Sequence, residues 1–378
     1  MKIKIYKEDL LRAVHIVQNV VGQRATLPIL SNYLLEATKT PQRLLIASTN
    51  LETGIKSYVP ANVIEEGSIT IPAKKLGEIL QNIPTNGSSS EIELELKENN
   101  VVKIAGHKSR FNISGIPKED YPSFPQLKKE DAIKINPKKL AEMIKRVSFC
   151  VSTDDTRRIL TGILMHVKNK KITLVATDGR RLAVASWEER EDLKEFKVAV
   201  PVKAMIELVR VIESNEAENL LLIDVTSGQI GFNIGDTSIF SRLIEGEYPN
   251  WEQVVPKQTQ IKLSLPTNEM LAVTKRAALC ISEKAGGCKY KFAKKKASVS
   301  AKTSGFYDFE GEFDLSSYDG PEGFEIYFIP NHIVDFLKVV SGDEFILGAT
   351  SNVTPVIFRP KNNEEYFCVI VPMRLENA

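Results

Sequence analysis

Ile71-Pro72-Ala73-Lys74-Lys75-Leu76 returns as Val200-Pro201-Val202-Lys203-Ala204-Met205 and again as Ile329-Pro330-Asn331-His332-Ile333-Val334, with the three prolines stepping by 129 residues each time. After the first proline the apolar positions are Leu76, Ile79, Leu80 and Ile83, and after the second they are Met205, Leu208, Val209 and Ile212. Both sets follow i, i+3, i+4, i+7, which places the side chains on one face of a helix. Proline suits the first helical position because its missing N–H has no intrahelical partner there, and it keeps the preceding residue extended. Each copy therefore predicts a strand running into an amphipathic helix. In the third copy Val334 and Leu337 match, and Lys338 interrupts the stripe.

A second helical pattern steps by 130 residues and aligns Leu10, Leu140 and Met270, then Val14, Ile144 and Thr274, then Val17, Val147 and Ala277, then Val21, Val151 and Ile281. Eleven of these twelve positions are apolar, and two independent patterns sharing nearly one period predict three homologous domains in the 378 residues. The boundaries are expected at 1–128, 129–256 and 257–378, within the polar, proline-flanked connectors 125–131 and 256–260. Strands are predicted at 43–48, 91–96, 101–105, 171–176, 219–225, 325–328 and 367–371, which are rich in β-branched or aromatic residues. Turn signals such as Asn86-Gly87, Asn99-Asn100 and Ser227-Gly228 bound several of them. Thr49-Asn50 is answered by Thr177-Asp178, and Tyr121-Pro122 by Tyr248-Pro249. The fold class is α+β, with two helices and several strands in each repeat.

With 43% hydrophobic and 26% charged residues, the chain belongs to the soluble globular class, which excludes disorder, collagen and coiled coil. No apolar run approaches the roughly 18 residues that span a bilayer, and Met1-Lys2-Ile3-Lys4-Ile5 alternates like a strand instead of forming a signal-peptide core. A cytoplasmic protein is expected. Cys150, Cys280, Cys288 and Cys368 lack CxxC spacing and are joined by only four histidines, so they read as reduced thiols, and neither a zinc site, a disulfide framework nor a cofactor is expected.

Net charge is +2, far from the balance of a strongly basic nucleic-acid binder. Its distribution is more telling. The helical segments 7–21, 73–82, 137–149, 202–213, 267–281 and 331–341 hold thirteen basic against eight acidic residues, which leaves the remainder net negative. At about 100° per residue, Lys74, Lys138, Lys145, Lys203, Arg210 and Lys275 lie about 140 to 160° from the apolar stripe of their helices, and His15 takes the same place in the first. Glu78, Glu142 and Glu207 also point outward, so each face alone is an ordinary mixed exterior. Three repeats presenting such faces on one surface would form a mildly positive wall that attracts phosphates without reading bases.

Thr177-Asp178-Gly179-Arg180-Arg181-Leu182 invites a catalytic reading, but no histidine or second carboxylate stands at a recognisable spacing, and an Asp-Gly turn accounts for Asp178 and Gly179. GxxxxGK, HExxH and GxSxG are all absent. The lysine-rich stretch 284–296 reads as an exposed loop or edge strand. Val369-Ile370-Val371-Pro372-Met373-Arg374-Leu375 is apolar where chain ends are usually polar, which fits a final core strand followed by a wall for a bound peptide.

Taken in order over the whole chain, Arg24-Ala25-Thr26-Leu27-Pro28-Ile29-Leu30-Ser31, Ala176-Thr177-Asp178-Gly179-Arg180-Arg181-Leu182-Ala183, Tyr248-Pro249 and Val371-Pro372-Met373-Arg374-Leu375 resemble the bacterial DNA polymerase III β subunit family, the sliding clamps. The resemblance implies three DNA-clamp domains with two helices each on an inner face and antiparallel sheets outside, closed head to tail into a dimeric ring. It implies a processivity factor, not an enzyme, that encircles double-stranded DNA without sequence preference. Its implied partners are the replicative polymerase catalytic subunit, the clamp loader, mismatch-repair proteins, translesion polymerases and a second copy of itself, and no membrane. A clamp-like scaffold never loaded on DNA is the first alternative, and an enzyme of phosphate or nucleotide chemistry the remote one.

Carried over by motif, a peptide-binding cleft would be formed by Leu160, Thr177, Gly179, Arg180, Arg181, Leu182, Pro249, Val254, Thr354, Pro355, Val369, Val371, Pro372 and Met373, with apolar walls and arginine heads framing the rim. The DNA track would take Arg24, Lys74 and Arg158 from the resemblance, with Lys138, Lys145, Lys203, Arg210 and Lys275 from the helix positions. The subunit contact would set Phe111 and Ile113 of one protomer against Leu279 and Cys280 of the other. Two residues depart from the family pattern: Asn50 stands where Asp is usual, and Gln253 replaces a commonly basic residue beside the cleft.

Overall fold

A computed structural model describes residues 1–22, 27–84, 90–128, 130–215, 220–281, 286–303 and 307–374. The six expected helices are present as α1 (Lys7–Val17), α2 (Ala73–Asn82), α3 (Pro137–Ser148), α4 (Val202–Ser214), α5 (Thr267–Ala278) and α6 (Pro330–Val339). Their stripes are buried as the spacing requires: Leu10, Val14 and Val17 in α1, Leu76 and Leu80 in α2, Leu140, Ile144 and Val147 in α3, and Met205, Leu208 and Ile212 in α4. Each such side chain contributes about 1.5 to 3 kcal/mol on leaving water. In α6 the interruption at Lys338 is harmless, because Ile333, Val334, Phe336 and Leu337 already form the buried face.

The expected strands appear as Gln42–Thr49, Glu91–Leu96, Val101–Gly106, Lys171–Thr177, Leu221–Thr226, Phe324–Phe328 and Tyr366–Ile370. One expectation is corrected. Within 284–296, of which Lys284 lies outside the described residues, Cys288–Phe292 is an interior strand, paired with Lys296–Thr303 on one side and Phe324–Phe328 on the other. Its lysines belong to the outward alternation: Cys288, Tyr290 and Phe292 are buried, while Lys289 and Lys291 both pair with Glu325, at 2.8 and 3.5 Å.

The chain divides into two compact units: Met1–Ala141 with Lys203–Leu243, and Glu142–Val202 with Ile244–Ala378. The middle repeat contributes to both, because its strands are hydrogen-bonded into its neighbours' sheets. In the first unit, an eight-stranded sheet runs Ile133–Ile135, Leu221–Thr226, Gln229–Ile234, Thr237–Arg242, Thr53–Pro60, Gln42–Thr49, Asn32–Lys39, Gly67–Pro72. A five-stranded sheet runs Asn62–Glu65, Lys2–Tyr6, Glu91–Leu96, Val101–Gly106, Ser109–Ser114.

In the second unit, a nine-stranded sheet runs Phe196–Pro201, Gly162–Lys168, Lys171–Thr177, Arg181–Glu188, Tyr366–Ile370, Val356–Pro360, Glu344–Ala349, Ile261–Pro266, Ser317–Asp319. A four-stranded sheet runs Tyr307–Asp314, Lys296–Thr303, Cys288–Phe292, Phe324–Phe328. Among the described residues all strand pairs are antiparallel. The joins are Thr237–Arg242 on Thr53–Pro60 in the first unit and Arg181–Glu188 on Tyr366–Ile370 in the second.

Candidate functional site

The nine-stranded sheet carries an apolar row built by cross-strand pairing. Leu182 lies opposite Val369, and Val369 opposite Ile357, so the three side chains share a face. Leu160, Tyr248 and Val175 complete the buried cluster around them, with Ile159, Trp251, Val255 and Phe367 packed against it. Above this floor, Val254 is 50% and Val371 42% exposed, a high value for valine. Pro249 is exposed, Thr354, Pro355 and Met373 are half-buried, and Pro372 is buried.

The chain beyond the last strand is tied down by backbone hydrogen bonds. Val371 N–H donates to Arg180 O at 2.9 Å and Met373 N–H to Tyr327 O at 2.8 Å. Residues 371–373 are thus held at both ends, Val371 by the nine-stranded sheet and Met373 by Phe324–Phe328 of the four-stranded one, and do not fray.

The turn at 177–181 is fixed by its own side chains. Asp178 Oδ1 accepts from Arg180 N–H and Arg181 N–H at 2.8 and 2.9 Å, Thr177 Oγ1 donates to Arg181 O at 2.7 Å, and Gly179 N–H donates back to Thr177 Oγ1 at 3.1 Å. Gly179 has φ +87°, the region that glycine enters without a Cβ penalty. A catalytic role for Asp178 is unnecessary, since Oδ1 shapes the turn and Oδ2 accepts from Arg181 Nε at 3.0 Å.

The cleft expectation sets both arginines at the rim. Arg180 is exposed, whereas the Arg181 side chain is only 12% exposed and points to the opposite side of the sheet. Strand alternation requires this: Arg181 and Leu182 are adjacent in one strand, so if Leu182 belongs to the floor, Arg181 must face away from it. Its guanidinium donates to Asp335 Oδ2 in α6 at 2.8 Å and to Phe149 O, just past α3, at 2.7 Å. Burial works against the charge, but the Asp335 hydrogen bond and nearby negative groups hold the Arg181 pKa above its ordinary value. Beside it, burial and then the Arg181 charge push His332 down to about 4, and His332 Nδ1 is buried without a hydrogen-bond partner. Asp335, Phe149 and His332 escaped the sequence reading. Asp335 and His332 lie in the weakest copy of the proline-helix motif, and Phe149 acts through a carbonyl that any residue type supplies.

Family models for the DNA polymerase III beta subunit match successive parts of this chain: the N-terminal domain at residues 1–125, the central domain at 134–250 and the C-terminal domain at 252–374. The chain belongs to this family of sliding clamps. The beta sliding clamp of Chlamydia muridarum is 29% identical over 380 residues, covering 100% of both chains, and that of Staphylococcus aureus (strain Mu50) is 28% identical over 388 residues, covering 99% of both. The crystal structure of the Bacillus subtilis DNA polymerase sliding clamp matches with a TM-score of 0.92 at 27% identity, covering 99% of each chain. A Pseudomonas aeruginosa sliding clamp bound to griselimycin matches with a TM-score of 0.92 at 28% identity, covering 99% of this chain and 100% of that one.

The remaining clamp positions fall on helices and sheet edges. Lys74, Lys138, Lys145, Lys203, Arg210 and Lys275 are exposed on α2 to α5, and Arg158 is exposed after α3, while Arg24 lies outside the described residues. Arg210 pairs with Glu207 at 2.8 Å, one turn earlier on the same helix. Phe111 and Ile113 sit in Ser109–Ser114, the edge of the five-stranded sheet, beside a groove that also includes Pro72, Ile79 and Asn82. Leu279 is 83% exposed just past α5, and Cys280 Sγ lies 3.9 Å from Asp308 O in Tyr307–Asp314, the edge of the four-stranded sheet. Among the described residues no helix is long and apolar enough to cross a membrane, and no group of three or more His, Cys, Asp or Glu could hold a metal ion.

Proposed function

We propose that two copies of this chain close head to tail around duplex DNA and tether the replicative polymerase, and in turn the clamp loader, mismatch-repair proteins and translesion polymerases, without catalysing a reaction. The observation that carries this reading is the pair of sheet edges, Ser109–Ser114 and Tyr307–Asp314, each bordered by apolar side chains: Phe111 and Ile113 on one, Leu279 on the other. Unpaired edges invite pairing with another chain, and two unlike edges make a head-to-tail contact that forms a ring when the rotation closes. The domains of such a ring are 1–128, 129–256 and 257–378.

Exposed Lys74, Lys138, Lys145, Arg158, Lys203, Arg210 and Lys275, with Arg24, supply sequence-independent phosphate contacts. Glutamates among them keep those contacts weak, and a closed ring holds the duplex by topology while they let it slide. The apolar floor of Leu160, Leu182 and Val369, with Pro249, Val254, Val371, Pro372 and Met373 above it and Thr177, Gly179, Arg180, Thr354 and Pro355 around it, fits a peptide with apolar anchors. Arg181 acts there by holding the turn. A cytoplasmic location follows from this proposed role.

Retention on nicked circular DNA after loader-assisted assembly, compared with the same DNA linearised by a restriction enzyme, tests the reading. Loss only on linearisation is the expected result. Equal retention on both would mean ordinary surface binding, and no retention on either with an active loader would leave a scaffold. Changing Lys138, Lys145 and Lys203 together to Glu should weaken retention at raised salt and flatten its salt dependence.

A further inference from the structure

Arg181 occupies a decisive position in the cleft although its head lies outside it. On one side, Arg180 O accepts the Val371 N–H that anchors the C-terminal wall, and on the other, Leu182 stands opposite Val369 in the floor. Arg181 itself lies opposite Ile370. Whatever fixes Arg181 therefore fixes wall and floor together. Its guanidinium has three acceptors: Asp178 in its own turn at 3.0 Å, Phe149 O at 2.7 Å and Asp335 at 2.8 Å. The first is local to the turn and the second is a neutral carbonyl. Only Asp335 brings a full opposite charge from a distant part of the chain, 154 residues away. The Asp335 side chain is 30% exposed and also faces Lys338 at 3.7 Å, a longer contact on the surface of α6.

We propose that Asp335 is a positioning residue for the peptide cleft: by holding Arg181 from α6, it pre-forms the 177–181 turn and the adjoining C-terminal wall before a partner peptide arrives. The inference rests on the cleft reading given above. A partly buried, charge-assisted hydrogen bond is strong enough for this work, and removing one partner leaves the other charge uncompensated. A pre-formed site avoids the cost of ordering a wall on binding, so the benefit is expected mainly in a slower dissociation rate.

Griselimycin, which the matched Pseudomonas aeruginosa clamp binds, is the probe proposed for this cleft, with the full chain in its native assembly and binding followed by surface plasmon resonance. Asp335→Asn should weaken binding about tenfold, chiefly through faster dissociation. Asp335→Glu should recover part of the loss, and Asp335→Asn added to Arg181→Gln should cost little beyond Arg181→Gln alone. Hydrogen exchange at the Arg180 and Arg181 amides, both held by Asp178, should speed up in Asp335→Asn while amides of the Cys288–Phe292 strand stay unchanged. If the native chain binds and Asp335→Asn binds equally well, the inference fails and the cleft stands. Losses that simply add, with no recovery by Glu, would also overturn it, because the effect would not run through Arg181. No binding by the native chain would remove the cleft and this inference together.

Discussion

The turns at 49–53 and 177–181 have one backbone design and opposite surroundings. In the first, Asn50 Oδ1 accepts from Glu52 N–H and Thr53 N–H at 3.0 and 2.8 Å, Thr49 Oγ1 donates to Thr53 O at 3.0 Å, and Leu51 N–H donates to Thr49 Oγ1 at 3.1 Å. These are the bonds of Asp178, Thr177 and Gly179 over again, with Leu51 at φ +74° where Gly179 has +87°. The Tyr121 and Tyr248 hydroxyls each reach a carbonyl of the strand before their turn, Ala47 O at 3.5 Å and Val175 O at 3.4 Å.

Beyond the turns the likeness ends. The row Leu182, Val369, Ile357 corresponds to Gly54, Phe240, Gly231 in the first unit. The two glycines leave room that the connector fills, with Phe124 placed 2.7 Å from where a Gly54 Cβ would stand and Leu127 2.3 Å from a Gly231 Cβ. Lys128 N–H then donates to Asp224 Oδ2 at 3.0 Å and fastens the segment. In the second unit the sheet carries that volume itself, and Val254 and Val371 remain exposed. Moving side-chain volume from connector to sheet turns a sealed seam into an open apolar surface, the one proposed above as the cleft.

The largest effect expected from this contrast is on stability. Phe124→Ala removes a ring that contacts Tyr121 and Phe240, both at 6.3 Å between centroids, and should cost about 3 kcal/mol in urea unfolding. An unchanged midpoint would mean that the seam is not sealed by the connector. On the open side, Val371→Asp with Met373→Asp should weaken binding of a polymerase-derived peptide to the proposed cleft at least about a hundredfold while leaving the assembly intact, since a buried carboxylate opposes an apolar anchor. Unchanged affinity would remove the cleft assignment.

His332 sharpens the contrast by pH, for its counterpart one repeat earlier is the exposed Lys203. With a folded pKa of about 4 against 6.5 for the free side chain, the unfolded chain binds more protons between those values. This contribution is complete above about pH 6.5 and is lost as pH falls toward 4. His332→Asn should reduce the acid-induced loss of stability over that window by about 2 kcal/mol, and parallel pH curves for the two proteins would rule the histidine out. The smallest effects separate the turns themselves. Asp178→Asn keeps Oδ1 but removes the negative charge on the carboxylate that Arg181 Nε meets, at a cost of about 1.5 kcal/mol. Asn50→Asp has no such arginine to meet and should stay within about 0.5 kcal/mol in the same unfolding assay. Equal shifts would show that Arg181 is not what distinguishes them.

That last pair explains why the departure at Asn50 is tolerated: the turn uses only Oδ1, which Asn and Asp share. The carboxylate matters at 178 alone, where Thr53 of the first turn is replaced by Arg181.

Sequence alone determined the helices and most strands, because 3.6-residue and two-residue periodicities are local properties, and the 129- and 130-residue steps made the repeat visible without any contact being known. It also named the apolar residues of the proposed cleft, by family resemblance. Tertiary structure decided what periodicity leaves open. The middle repeat joins both units because strand pairing follows sheet edges, not chain order. Phe124 and Leu127 seal one groove because Gly54 and Gly231, distant in sequence, leave room for them. Arg181 turns from the rim toward Asp335 because the face that a strand residue takes is set only when its neighbour is committed to the floor.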